Sequence, residues 1–187
     1  MHAMSDLKAH ADLERFEKNL NPASCKTDRS FCVLGYGEIS TVFRIGTDGY
    51  RAYKRMPLFE TRKAAEDYVE NYQIYCRHLK EAGIRLPPDE LSIVSVSGRP
   101  ITLYIIQRQY PKTWFAHHLI HSTAAPSTRM IFQKICEQID AVWKFNQNHM
   151  PGLELALDGQ LSNWLFENKA PDITSLIKKI QEIHNLV

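Results

Sequence analysis

No C-x-x-C pair, no long apolar run and no excess of either charge occurs in this chain, and each absence removes a class of function. Cys25, Cys32, Cys76 and Cys136 stand apart, without the paired spacing of a zinc cluster, which is the usual pattern of reduced intracellular thiols. No apolar stretch approaches the roughly 18 residues that cross a bilayer, and the N-terminus lacks the basic-then-apolar order of a secretory signal. The expectation is a cytoplasmic protein without a membrane span. With 23 Lys and Arg against 21 Asp and Glu, the formal charge is +2, too near neutral to hold nucleic acid or an acidic partner by bulk charge. His117, His118 and His121 have no acidic or cysteine partner at ligand spacing, so they read as exposed helix residues.

What is present is enough apolar material for a core: 44% of 187 residues are hydrophobic. A helix is expected over Ser5 to Leu20, with Leu7, Leu13, Phe16 and Leu20 on one face, stopped at Asn21-Pro22. Three strands are expected from about Phe31 to Met56, the third ended by Pro57. Thr61 offers an N-cap for a long helix closed by Gly83, with Tyr68, Tyr72, Tyr75 and Leu79 as packing residues. The alternating segments Leu91–Val96 and Ile101–Gln107, joined through Ser97-Gly98-Arg99-Pro100, predict a hairpin. A short helix over Trp114–His121, a loop over Ser122–Ser127 and a longer helix over Thr128–His149 complete the regular elements. The last of these has Ile131, Ile135, Ile139, Val142 and Phe145 as its core stripe.

Two short stretches carry chemistry. In the first, Gly35-Tyr-Gly37-Glu-Ile-Ser40-Thr-Val42 links two strands, where glycines let a backbone approach phosphates closely, and Lys54 closes the next strand with its ammonium available to the same phosphates. In the second, Asp158 stands five residues before Asn163, after the apolar Leu153-Glu-Leu-Ala-Leu157 and before Trp164-Leu165-Phe166. That spacing resembles the catalytic loop of kinases, in which the Asp takes the acceptor's proton and the Asn holds magnesium; by itself it equally fits a polar turn after a helix.

In their order and separation these stretches resemble the protein-kinase-like superfamily, which includes protein kinases and aminoglycoside-type phosphotransferases. The resemblance covers about residues 30 to 175. It implies an α+β, two-lobed fold: a five-stranded antiparallel lobe with one long helix at 25–110 and a reduced, mostly helical lobe at 111–187, to which the helical pattern of Ser5 to Leu20 adds an N-terminal helical extension at 1–24. It further implies that Gly35, Gly37, Ser40 and Val42 cover ATP, that Lys54 neutralises its phosphates and that Glu70, or else Glu66, holds Lys54. Gln107 to Pro111 would be the adenine hinge. Asn163 and Asp172 would bind magnesium, and Asp158 would be the base. Ala156 stands where the superfamily commonly has histidine, Thr174 replaces the glycine of D-F-G, and Asp172 lies nine residues after Asn163, closer than usual. As an alternative to a ligand, Asp172 is an N-cap for a helix over Ile173 to Val187.

Fifteen residues follow Asp172, so the resemblance is to a minimal or C-terminally truncated member. Three functions follow from different classes: a Mg-ATP phosphotransferase acting on a protein or small-molecule hydroxyl, a pseudokinase-like nucleotide-binding module without turnover, and a nucleotide-independent interaction domain.

Overall fold

The computed structural model describes residues 2–21, 31–37, 39–46, 50–149, 151–166 and 180–182, with side chains from 10 onward and backbone alone at 180–182. It is an α+β chain that divides into two compact units, one made of residues 1–71 and 88–109, the other of 72–87 and 110–186.

The first unit is built on a five-stranded antiparallel sheet in the order β1-β2-β3-β5-β4. Its strands are β1 (Phe31–Tyr36), β2 (Thr41–Ile45), β3 (Arg51–Phe59), β4 (Asp89–Val94) and β5 (Ile101–Arg108). Helix α2 (Arg62–Glu81) is inserted after the third strand, as the sequence predicts. The Thr61 hydroxyl accepts from the Ala64 N–H at 3.2 Å and caps the start of α2. Gly83, at φ +91°, takes the left-handed turn that follows its end. Gly98, at φ +76°, turns β4 into β5.

Strand alternation gives the sheet two faces. On one, Phe31, Phe43, Val94, Tyr104 and Ile106 pack with Leu13, Phe16 and Leu20 of helix α1 (His2–Asn19). The rings of Phe16, Phe31 and Phe43 meet edge to face with centroids 5.4 to 5.6 Å apart. Helix α1 is therefore part of the sheet's core and not an extension beside it.

A buried polar network completes that docking. Glu17, only 1% exposed, accepts two hydrogen bonds from Arg55, at 2.8 and 2.5 Å, and one from the Tyr104 hydroxyl at 2.6 Å. Arg99 lies 3.8 Å from the same carboxylate and donates to the Lys18 carbonyl at 3.2 Å. Burial alone would raise the Glu17 pKa, yet the hydrogen bonds and charges of Arg55, Tyr104 and Arg99 outweigh it and hold the carboxyl below its ordinary value.

Several expectations need correction. Pro57 does not end β3, which runs on to Phe59; a register shift between Met56 and Phe59 takes up the proline, whose missing N–H is tolerated at such an irregularity. The fourth strand is Asp89–Val94, two residues earlier than Leu91–Val96. Residues 72–87 group with the second unit, across the expected lobe boundaries.

The second unit contains α3 (Ala116–Ser122), α4 (Ala125–His149) and a two-stranded antiparallel sheet of β6 (Trp164–Phe166) and β7 (Ile180–Glu182). Ala125 to Ser127 are the first turn of α4 and not a loop, because Pro126 is tolerated at a helix start. Ile139, expected in the core, is 41% exposed; the buried line runs through Ile131, Ile135, Val142 and Phe145. A continuous helix over Ile173 to Val187 is excluded by β7, which pairs Ile180, Gln181 and Glu182 with Phe166, Leu165 and Trp164.

Candidate functional site

Gly35 and Lys54 share the face of the sheet opposite α1. Register places Gly35 against Val42, Val42 against Lys54 and Lys54 against Ile105. Directly opposed residues of an antiparallel pair project to the same side, so these four form one transverse row. A bulge makes this possible. Val33 pairs with Phe43 and Gly35 with Val42, so Leu34 is an extra residue on β1 that moves Gly35 off the side Val33 occupies.

At Gly35 the space over the sheet is open: a Cβ there would meet nothing within 4 Å. Gly37 is different, since a Cβ would come 2.8 Å from the Ser40 hydroxyl. Its N–H donates to the Ser40 carbonyl at 2.8 Å, closing the tight turn between β1 and β2. Ser40 and Val42 are half-buried on the descending side of that turn.

Lys54 is 8% exposed, and burial pushes its ammonium down from the ordinary 10.5 to about 8. A lysine enclosed in this way gains from any anion that enters beside it. Glu70, expected to hold Lys54, is exposed on α2, and Glu66 bonds to Arg62 at 3.0 Å. Gln107 and Arg108 end β5, and Gln109 donates its N–H to the Tyr50 carbonyl at 2.7 Å.

Asp158 and Asn163 lie in the second unit and share one irregular segment. Asp158 is half-buried, and its carboxylate accepts the Gln160 N–H at 3.0 Å, an Asx turn that fixes the direction of the side chain. A 3-10 turn over Leu161–Asn163 follows, with the Asn163 N–H donated to the Gln160 carbonyl at 2.9 Å. Asn163 is 1% exposed, and Trp164, Leu165 and Phe166 after it are fully buried. The apolar strand β6 follows directly and is buried throughout.

Sequence reasoning missed the supports of this segment. Asn146 of α4 and Tyr75 of α2 bond to its main chain, at Leu155 and Ala156. His117 is half-buried, not exposed, and the Leu161 backbone hydrogen-bonds to it. Burial is the largest cause holding the His117 pKa below its ordinary value, with His118 and His121 adding to it. The available signal was an asparagine on the buried side of an apolar helix; the partners themselves are long-range.

Asp172 lies outside the described residues. Among those described, no group of three or more His, Cys, Asp or Glu is arranged to hold a metal ion, and no helix is long and apolar enough to cross a membrane. Residues 15–172 match a family of unknown function, DUF6206. No curated protein matches the sequence.

Proposed function

The chain belongs to DUF6206, a family of unknown function, so its activity has to be argued from its own residues: we propose a Mg-ATP-dependent phosphotransferase that passes the γ-phosphoryl group to a hydroxyl of a protein or small molecule. The observation that carries this reading is Lys54, buried in register with Gly35 and Val42, with its pKa lowered to about 8. A buried ammonium in the same transverse row as an open glycine suits the phosphates of a nucleotide. The order of elements agrees with a protein-kinase-like chain: an antiparallel five-stranded sheet with a helix after the third strand, then helices, then the Asp158 to Asn163 segment.

In this reading Gly35 and Gly37 admit phosphates to the backbone, Ser40 offers its hydroxyl and Val42 an apolar surface. Lys54 neutralises phosphate charge, the largest single contribution expected of such a site. Asp158 orients the acceptor hydroxyl and takes its proton. Magnesium would add charge neutralisation; its expected ligands are Asn163, whose carboxamide oxygen is a suitable hard donor, and Asp172.

One observation favours a second reading, a nucleotide-binding module without turnover: Asn163 is enclosed at 1% exposure. The experiment is titration with ATP with and without magnesium, then incubation with γ-labelled ATP beside Asp158→Ala. Transfer that depends on Asp158 supports the phosphotransferase. Binding without transfer supports the module, and a folded protein that binds no ATP overturns both.

A further inference from the structure

Residues 153–160 contain no helix or strand. The backbone that carries Asp158 thus has no ladder of its own, and the groups that satisfy and fix it must come from elsewhere. Asn146, 8% exposed on α4, supplies two. Its carboxamide donates to the Leu155 carbonyl and accepts from the Leu155 N–H, both at 2.8 Å. One buried side chain therefore takes both polar groups of one residue, as a neighbouring strand would. Leu155 itself is packed with Leu79, Ile84, Val142 and Phe145, so the clamp is backed by core.

One residue further on, the Tyr75 hydroxyl donates to the Ala156 carbonyl at 2.6 Å. Ala156 occupies the position at which the superfamily resemblance leads one to expect a supporting histidine. Here the support arrives at the main chain, from a tyrosine of α2, and needs no side chain at 156. Downstream the segment is held by the Gln160 carbonyl's bond to Asn163 and by the Trp164 indole, which donates to the Gly159 carbonyl at 3.4 Å.

We propose that Asn146 and Tyr75 are positioning residues for Asp158. By fixing the main chain at Leu155 and Ala156 they hold the carboxylate two residues later in one place, ready for the acceptor hydroxyl. The inference rests on the reading of Asp158 as the acceptor base. Neither residue touches nucleotide in this scheme, so their loss separates turnover from binding. A merely structural role would lower stability and leave the turnover of folded molecules as it was.

The test uses Tyr75→Phe, which keeps the ring and removes the hydroxyl, and Asn146→Ala, with wild type and Asp158→Ala beside them. Three quantities are measured: hydrogen exchange across residues 153–163, ATP affinity, and phosphoryl transfer per folded molecule. The expected result is faster exchange over that segment, ATP affinity within about twofold of wild type, and transfer slowed about tenfold, since small misplacements of a catalytic group cost one to two orders of magnitude. Should Asn146→Ala fail to fold, Tyr75→Phe decides by the same readouts. Unchanged exchange and unchanged transfer in the variants, with an active wild type, overturn the positioning role alone. A wild type that binds ATP and transfers nothing overturns the base assignment, and the positioning role falls with it.

Discussion

Replacing Lys54 by methionine tests the nucleotide site through protons as well as affinity. In the folded chain the ammonium sits at about 8, against an ordinary 10.5, because it is buried. At about 1.4 kcal/mol per tenfold change in proton affinity, that drop corresponds to about 3 kcal/mol. Between pH 8 and 10.5 the unfolded chain binds more protons at this site than the folded one, so stability rises with pH there and the penalty is whole below pH 8. Lys54→Met removes the charge, and denaturant unfolding is expected to show it more stable than wild type at pH 7, with less of the alkaline rise. Nucleotide phosphates favour the charged amine, so ATP binding at pH 9 is expected to draw in about one proton, and almost none at pH 6.5. Titration calorimetry at each pH, in two buffers of different ionisation enthalpy, reads this uptake directly. The methionine variant is expected to show no such uptake and to bind ATP at least about tenfold more weakly. Binding by wild type at pH 9 without proton uptake would refute the placement of phosphates at Lys54.

Arg55→Met leaves the Glu17 carboxylate enclosed without its main partner and is expected to cost about 3 to 5 kcal/mol in denaturant unfolding. Glu17→Leu combined with Arg55→Met is expected to cost less than Arg55→Met alone, and additive losses would contradict a buried pair. Because the Glu17 carboxyl is held below its ordinary 4.5, its contribution is whole above that pH and falls as acid protonates it; in Glu17→Leu, acid titration monitored by circular dichroism is expected to show a shallower loss. Gly37→Ala brings a Cβ 2.8 Å from the Ser40 hydroxyl, which can rotate away. It is expected to change melting temperature little and to weaken ATP several-fold in the same titration, because the hydroxyl is moved.

Local pattern recovered most of the elements. Alternation marked the strands, and the chemistry of Thr61 and Gly83 marked the ends of α2. Where pattern failed, a geometric adjustment had intervened. Leu34 inserts one residue into β1 and moves Gly35 onto the Lys54 face, and no periodicity announces a bulge. Ile131, Ile135 and Ile139 step by four along α4, and each step rotates past a full turn, so the third leaves the buried face. At the candidate site, the sequence placed Gly35, Val42 and Lys54, which register joins, and Asp158 and Asn163, which one segment joins. It did not reveal Asn146, Tyr75 or the Glu17–Arg55 pair, because each acts on a partner far along the chain. Glu17 sits between Phe16 and Leu20 on the packed side of α1, where an acid is tolerated only because Arg55 and Tyr104 meet it.

The docking of α1 has a consequence for synthesis. Glu17 and Tyr104 are 87 residues apart. At about 5 to 20 residues per second, the first helix leaves the ribosome some 4 to 17 seconds before β5 has been made. During that interval Leu13, Phe16 and Leu20 have no complete sheet to cover, and the Glu17 carboxylate must stay hydrated. The sheet's own apolar face is equally bare until β5 arrives. The nascent chain is thus expected to depend on holding factors until about residue 108 has emerged, and a pause in translation before β5 is expected to leave more of it aggregated.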